Sequence, residues 1–326
     1  MYQRLGDATL KNGETVEIGV ITPPMSEFAE RVKKLLGHKG WEWVWQVGLS
    51  VEGKTDDLEN RFYVARRGEA FISNVCTFEQ KGVGILGHVW TPEAERRKGL
   101  CNAIFEKLMA DFRARKGKLM LLGTGFDTPP YHIYQKFGFT GFYEGSGLMR
   151  FSEDPNFERK YFGAAPTRIV EPTWAEWPRV NALFAEPEEY VKSFAWGKFY
   201  KDHAEDCYIY LRHALDHDPR VSAKLLRSEK SGAIVGGAWV APQRLFPRAM
   251  VLDLTCHPKH ADGYAKLLAA ISWPDVKVFA LAEMGKRTKA TALKAAGFEP
   301  AGILHGMLPK RDGPAADLQL FTREPR

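Results

Sequence analysis

The chain runs through one order of elements twice. Between residues 82 and 139 it passes from an apolar strand (GVGILGHVWT, 82–91) through a polar turn into a helix. A second strand (KLMLLGTG, 118–125) and a short helix (TPPYHIYQKF, 128–137) follow, and the run closes on Gly138-Phe139. Leu100, Ala103, Ile104, Leu108 and Phe112 give the first helix one apolar face. Between 248 and 298 the order returns: a strand (248–258), a helix at 262–272, a strand (276–283) and a helix (287–298) that closes on Gly297-Phe298. Gly99 and Gly138 are 39 residues apart, Gly263 and Gly297 34. Self-similarity of this kind marks a duplication. The length, 326 residues, suits two domains.

The remaining segments fill out two α/β halves. Strands are expected at 16–22, 61–68, 69–80, 141–145 and 147–151, and a helix at 26–36 with Ser26 as its N-cap. Residues 37–60, rich in Trp, Gly and charge, suggest no element order. In the second half, strands are expected at 167–172, 222–229 and 233–242, and a helix at 174–185 in which Pro178 implies a break or a late start. The reading is therefore a first domain at 1–155, a connector at 156–166 and a second domain at 167–326.

Partners are narrowed by charge. The excess of 46 Lys and Arg over 40 Asp and Glu, a net +6, is spread along the chain and forms no block suited to nucleic acid. No apolar run approaches the ~20 residues that span a bilayer, and the N-terminus lacks the apolar core of a signal peptide. Four scattered cysteines form no CxxC pair, as expected of reduced thiols. These features point to a cytoplasmic protein without nucleic-acid or membrane partners, and leave its oligomeric state open.

Arg96, Arg97 and Lys98 crowd the start of the helix that begins near Leu100. A helix N-terminus already carries partial positive charge, so such a cluster calls for an anion. The segment from Val89 to Asn102 resembles the acyl-CoA loop of the GCN5-related N-acetyltransferases (GNAT), whose pattern is Arg or Gln, two residues, Gly, one residue, then Gly or Ala. Here it reads Arg96-Arg97-Lys98-Gly99-Leu100-Cys101, with a cysteine at the last place. YQKFGF (134–139) resembles the family's second signature, and Asp127 stands where the family often has Asn. The second half carries a worn copy: Gly263 and Ala265 are kept, but His260 replaces the Arg or Gln and Leu293 replaces the Tyr.

The resemblance implies two tandem acyl-CoA N-acyltransferase-like domains, each a mixed, mostly antiparallel sheet flanked by helices, with the first domain active. It implies acetyl-CoA as co-substrate and an amine-bearing acceptor. Main-chain groups of Val89, Trp90 and Thr91 would bind pantetheine and the acyl carbonyl. Arg96, Arg97, Lys98, Gly99, Leu100, Cys101 and Asn102 would receive the pyrophosphate, and Asp127 would lie close by. Gly99 lets the backbone approach closely, and the guanidinium forks match phosphate oxygens. Tyr134 is the expected general acid toward the leaving thiol. His88 is the expected base, with Glu79, Asp127 or a water chain as alternatives. The competing readings are a non-catalytic acyl-CoA-binding or regulatory protein, and O- or S-acyl transfer or thioester decarboxylation on the same scaffold.

Other groups are assigned no chemistry. Cys256, His257, His260 and Asp262 are too adjacent in sequence to converge on a metal, so none is expected. His213 and His217 read as a solvated helix face. A bound co-substrate would cover Cys101, which argues against a nucleophilic role. WEWVW (41–45) reads as packing beneath a loop, with an acceptor-lining role as the alternative.

Overall fold

A computed structural model describes residues 1–24, 27–186, 205–242, 246, 248–310 and 313–325. The chain packs as two compact units: Met1–Phe157 with Thr173–Asn181, and Glu158–Pro172 with Ala182–Arg326.

The first unit begins with β1 (Tyr2–Thr9), β2 (Thr15–Ile21), α1 (Ala29–Leu36) and α2 (Trp41–Val51). It continues with β3 (Glu59–Arg67), β4 (Ala70–Gln80), β5 (Val83–Trp90), α3 (Leu100–Ala114), β6 (Leu119–Gly123), α4 (Pro129–Lys136), β7 (Thr140–Gly141) and β8 (Leu148–Phe151). Its eight strands lie in the order β1-β2-β3-β4-β5-β6-β8-β7. Every pairing is antiparallel except β5 with β6. The short α5 (Phe157–Tyr161) follows, inside the stretch read as a connector.

The second unit holds β9 (Thr167–Val170), most of the chain after α6 (Trp177–Ala185), α7 (Glu205–His217), β10 (Ser222–Ser228), β11 (Ile234–Pro242) and β12 (Ala249–Cys256). Then come α8 (Gly263–Ala270), β13 (Lys277–Glu283), α9 (Arg287–Ala295), β14 (Glu299–Leu308) and β15 (Ala316–Arg323). Its order is β14-β15-β13-β12-β11-β10-β9, again with one parallel pair, β12 with β13. Laid side by side, β2 to β8 and β9 to β15 follow the same topology, with β1 an addition at the edge of the first sheet.

The apolar face of α3 explains why it docks. Leu100, Ile104, Phe105, Leu108 and Phe112 are all buried with Val16, Ile18, Tyr63, Val75, Leu86 and Met120 from the sheet, and α4 adds Tyr131 and Tyr134. Gly138 closes α4 with φ +90°, a conformation a Cβ disfavours. The opposite side is covered by α1 and α2, with α1 against α2 and β4. Several sequence readings change here. WEWVW opens helix α2, and Trp43, Val47 and Ser50 fall on one of its faces. β1 is a full strand, although its alternation is interrupted by Gly6. β7 shrinks to two residues. The helix expected at 174–185 does start late, at Trp177 after a 3-10 turn, with Pro178 its second residue, where the missing N–H costs nothing. The Ser26 cap lies outside the described residues.

Candidate functional site

The site is organised by a fork in the first sheet. β5 and β6 pair only from Val83↔Leu119 to Ile85↔Leu121; beyond that, β5 runs on to Trp90 without a β6 partner. On its other side the register with β4 slips: Asn74 faces Trp90 and Cys76 faces Gly87, so β5 carries an extra residue. His88 sits in this bulge at φ +53°. The Asn74 amide donates to the His88 carbonyl at 2.6 Å in place of a ladder bond. The Ser73 hydroxyl donates to the Trp90 carbonyl at 3.0 Å and meets Thr91 Oγ1 at 2.8 Å. Val89 and Trp90 thus lie on a strand whose inner edge is unpaired by β6, with Thr91 just past its end, an arrangement that leaves main-chain groups for a ligand.

From that fork the chain enters the basic loop. After a single 3-10 turn (Glu93–Glu95), Arg97 takes φ +65° and Gly99 φ +96°. Two left-handed residues this close together bend the backbone sharply just ahead of α3. α3 begins at Leu100 with no side chain capping its first turn. The Lys11 N–H donates to the Lys98 carbonyl at 3.0 Å and holds the loop to the end of the β1–β2 turn.

The cations divide their duties. The Lys98 ammonium is 3.0 Å from Glu95, which Arg67 also holds at 2.8 Å. Arg67 and then Lys98 pull the Glu95 carboxyl down to about 2. Arg67 also bonds Glu14, making a bridge that the sequence did not disclose. Arg96 donates from Nε to the Thr91 carbonyl at 3.1 Å and lies over the Trp90 ring at 5.4 Å. Arg97 is exposed and makes no ion pair among the described residues. Of the three clustered cations, it is the one that no group among the described residues holds. Asn102 is half-buried in the first turn of α3.

Tyr134 lies on the α3 side. It is 7% exposed, and its ring packs on Phe105 at 5.4 Å and Phe139 at 6.2 Å. Burial, with a smaller contribution from the nearby Cys101 thiol, pushes its phenol well above the ordinary tyrosine range. The Cys101 thiol is itself pushed up to about 11 by burial, so it stays protonated and is a poor nucleophile at neutral pH.

His88 lies on the α2 side instead. Its ring meets Trp43 edge-on at 4.3 Å and Phe78 at 5.9 Å, and Phe78 and Trp43 in turn meet Trp177. Burial, then the Lys39 and His38 charges, push its pKa down to about 3. Its Nε2 and the Asn74 Oδ1 are buried without a hydrogen-bond partner among the described residues.

Two alternative bases are engaged elsewhere. Glu79, fully buried, accepts from both terminal nitrogens of Arg115 at 2.8 and 3.0 Å and from Thr77 at 2.6 Å, a structural lock on the end of α3. Asp127, at φ +57°, is exposed and paired with His132 Nε2 at 3.0 Å. Sequence reasoning did not reach Asn74, His38 or Lys39. Asn74 is a polar residue within an apolar strand, and that was the available signal.

The second unit forks too, with β12 and β13 parting after Leu252↔Ala280. Here protein fills the space. Lys289, 2% exposed, lies 3.8 Å from Glu283, itself 7% exposed. A Cβ on Gly263 would stand 2.2 Å from Leu226, whereas one on Gly99 would meet nothing nearer than Lys11 Cγ at 3.6 Å. His257 stacks on Phe162 at 5.2 Å, with Nε2 3.5 Å from Glu186. Among the described residues no three His, Cys, Asp or Glu side chains converge as metal ligands, and no helix is long and apolar enough to cross a membrane.

Solved structures of GNAT-family acetyltransferases are similar to about half of this chain. The GNAT domain of S. lividans PAT is 16% identical over 45% of this chain and 96% of its own, with a TM-score of 0.35. A GNAT-family acetyltransferase from Streptococcus pneumoniae is 15% identical over 48% and 98%, with a TM-score of 0.38. A phosphinothricin acetyltransferase from Sinorhizobium meliloti, solved with AcCoA, is 16% identical over 50% and 89%, with a TM-score of 0.37. No family model and no curated protein matches the chain.

Proposed function

We propose that the first unit is an acyl-CoA-dependent N-acetyltransferase that moves an acetyl group from acetyl-CoA to a primary amine. The observation that carries this reading is the fork between β5 and β6, which leads directly into a glycine-bearing, uncapped helix start beside an arginine that makes no ion pair among the described residues. A thioester with a diphosphate tail fits both features at once: the tail meets the N–H groups around Gly99 and Arg97, and the amide-bearing arm extends along the free edge of Gly87–Trp90.

The chemistry follows from the two sides of the fork. The acceptor loses its ammonium proton to water, and its lone pair attacks the thioester carbon. A C–N bond forms, the C–S bond breaks, and the nitrogen sheds its remaining extra proton while the sulfur gains one. Tyr134 stays protonated across the neutral range, so it hydrogen-bonds the leaving sulfur and relays the proton to it. His88, held neutral in its aromatic setting, is too weak a base to take a proton from an ammonium group. It orients the incoming amine through a hydrogen bond. The domain division and cytoplasmic location belong to this reading as well.

The test is thiol release from acetyl-CoA with a panel of amines, alongside calorimetry with acetyl-CoA alone. Binding with amine-dependent thiol release is the expected result. Tight binding with no release would favour an acyl-CoA sensor, and no heat on adding acetyl-CoA would overturn the reading.

A further inference from the structure

Resting on the acyltransferase reading, we propose that the acceptor is a small amine that also carries a carboxylate and an apolar or aromatic body, an amino-acid type of molecule, rather than a polyamine. Its place is the α2 side of the β5 bulge, where the structure brings together three kinds of group.

The first is a wall of rings. Half-buried Trp43 is its open face; Phe78 and Trp177, fully buried, back it at ring distances of 4.9 to 6.2 Å, and His88 meets Trp43 edge-on. The second is a pair of buried polar atoms without partners among the described residues, His88 Nε2 and Asn74 Oδ1. His88 is 7% exposed and Asn74 2%, and the two residues are tied through the Asn74 amide and the His88 carbonyl. Orphaned polar atoms this deep cost stability unless something bonds them. A primary amine can donate to the Asn74 oxygen, and the imidazole can donate to or accept from the same ligand.

The third is charge. Lys39, half-buried in the turn between α1 and α2, makes no ion pair among the described residues. Beside it, His38 stacks on Trp90 at 4.1 Å, and Trp90 is covered in turn by Arg96. The Asn74 amide also donates to the buried Cys76 thiol at 3.7 Å. Burial holds the neighbouring His38 imidazole toward its neutral form, so Lys39 is the cation this turn offers. A polyamine would add like charge to this corner. A carboxylate would pair with Lys39 while its amine reaches Asn74 and His88 at the bulge.

The experiment measures kcat/KM for thiol release from acetyl-CoA by the full chain with L-phenylalanine, phenethylamine and spermidine. The first two differ only by the carboxylate. The expected result is a preference of roughly tenfold or more for phenylalanine over phenethylamine, the worth of one charge-assisted hydrogen bond. Lys39→Gln should shrink that ratio toward one, and Lys39→Arg should preserve it. Phenethylamine or spermidine used as well as phenylalanine, or a ratio unmoved in Lys39→Gln, would overturn the inference and leave acyl transfer standing. No thiol release with any of the three, in a protein that binds acetyl-CoA, would remove acyl transfer and this inference together.

Discussion

At the scale of single residues, neighbours decide what each side chain can do. Arg97 and Lys98 are adjacent in sequence, yet Lys98 is committed to Glu95 and Arg97 is not. Arg97→Ala should therefore weaken acetyl-CoA binding by about tenfold in calorimetry, and Lys98→Ala by less. Tyr134→Phe removes a hydroxyl and little packing. It should lower kcat by about a hundredfold or more while the dissociation constant for acetyl-CoA changes little. His88 supplies a pH signature. Its folded pKa, about 3, lies below its ordinary 6.5. Between those values the unfolded chain takes up a proton that the folded chain refuses. Stability should fall as pH drops through that window, by up to about 1.4 kcal/mol per pH unit, and this residue should contribute no slope above it. Urea titrations of the protein and of His88→Asn, a residue that tolerates positive φ, should differ by that slope. Tyr134 and the basic cluster were legible in sequence because their motifs are local. The commitments of Glu79 and Asp127 were not, because their partners lie elsewhere in the chain.

At the scale of elements, α3 is held at both ends by different means. Its start is left open toward a ligand, and its end is locked by Arg115, which bridges Glu79 on β4 and Asp111 on α3 itself. Arg115→Met would leave the Glu79 carboxylate buried and unpaired. That should cost about 3–5 kcal/mol, measured by denaturant unfolding. The strands and the α3 and α4 helices were readable because alternation and the i, i+4 rhythm report which faces are buried. α2 was not, because three tryptophans spaced two apart imitate a strand. Its helical state is favoured by the aromatic partners Phe78, Trp174 and Trp177 that receive it. The bulge was equally hidden, since a one-residue slip in register depends on pairing between strands rather than on composition.

At the scale of the whole chain, a duplicated topology carries one open fork and one filled by a buried Lys–Glu pair. The expected stoichiometry is one acetyl-CoA per chain in calorimetry; two would contradict it. Lys289 has its ammonium disfavoured by burial but faces both Glu283 and Asp253, so Lys289→Met, which leaves two buried carboxylates without their cation, should cost about 3–5 kcal/mol by denaturant unfolding. The sequence by itself determined the repeated element order, the faces that are buried and the glycine that lets a backbone turn left-handed ahead of α3, because propensity and periodicity are written residue by residue. Only the tertiary structure decided where β5 parts from β6, which cations are spent on carboxylates, and that Asn74 and His88 share one corner. Those outcomes depend on register and on pairings across tens of residues, and no local pattern records them.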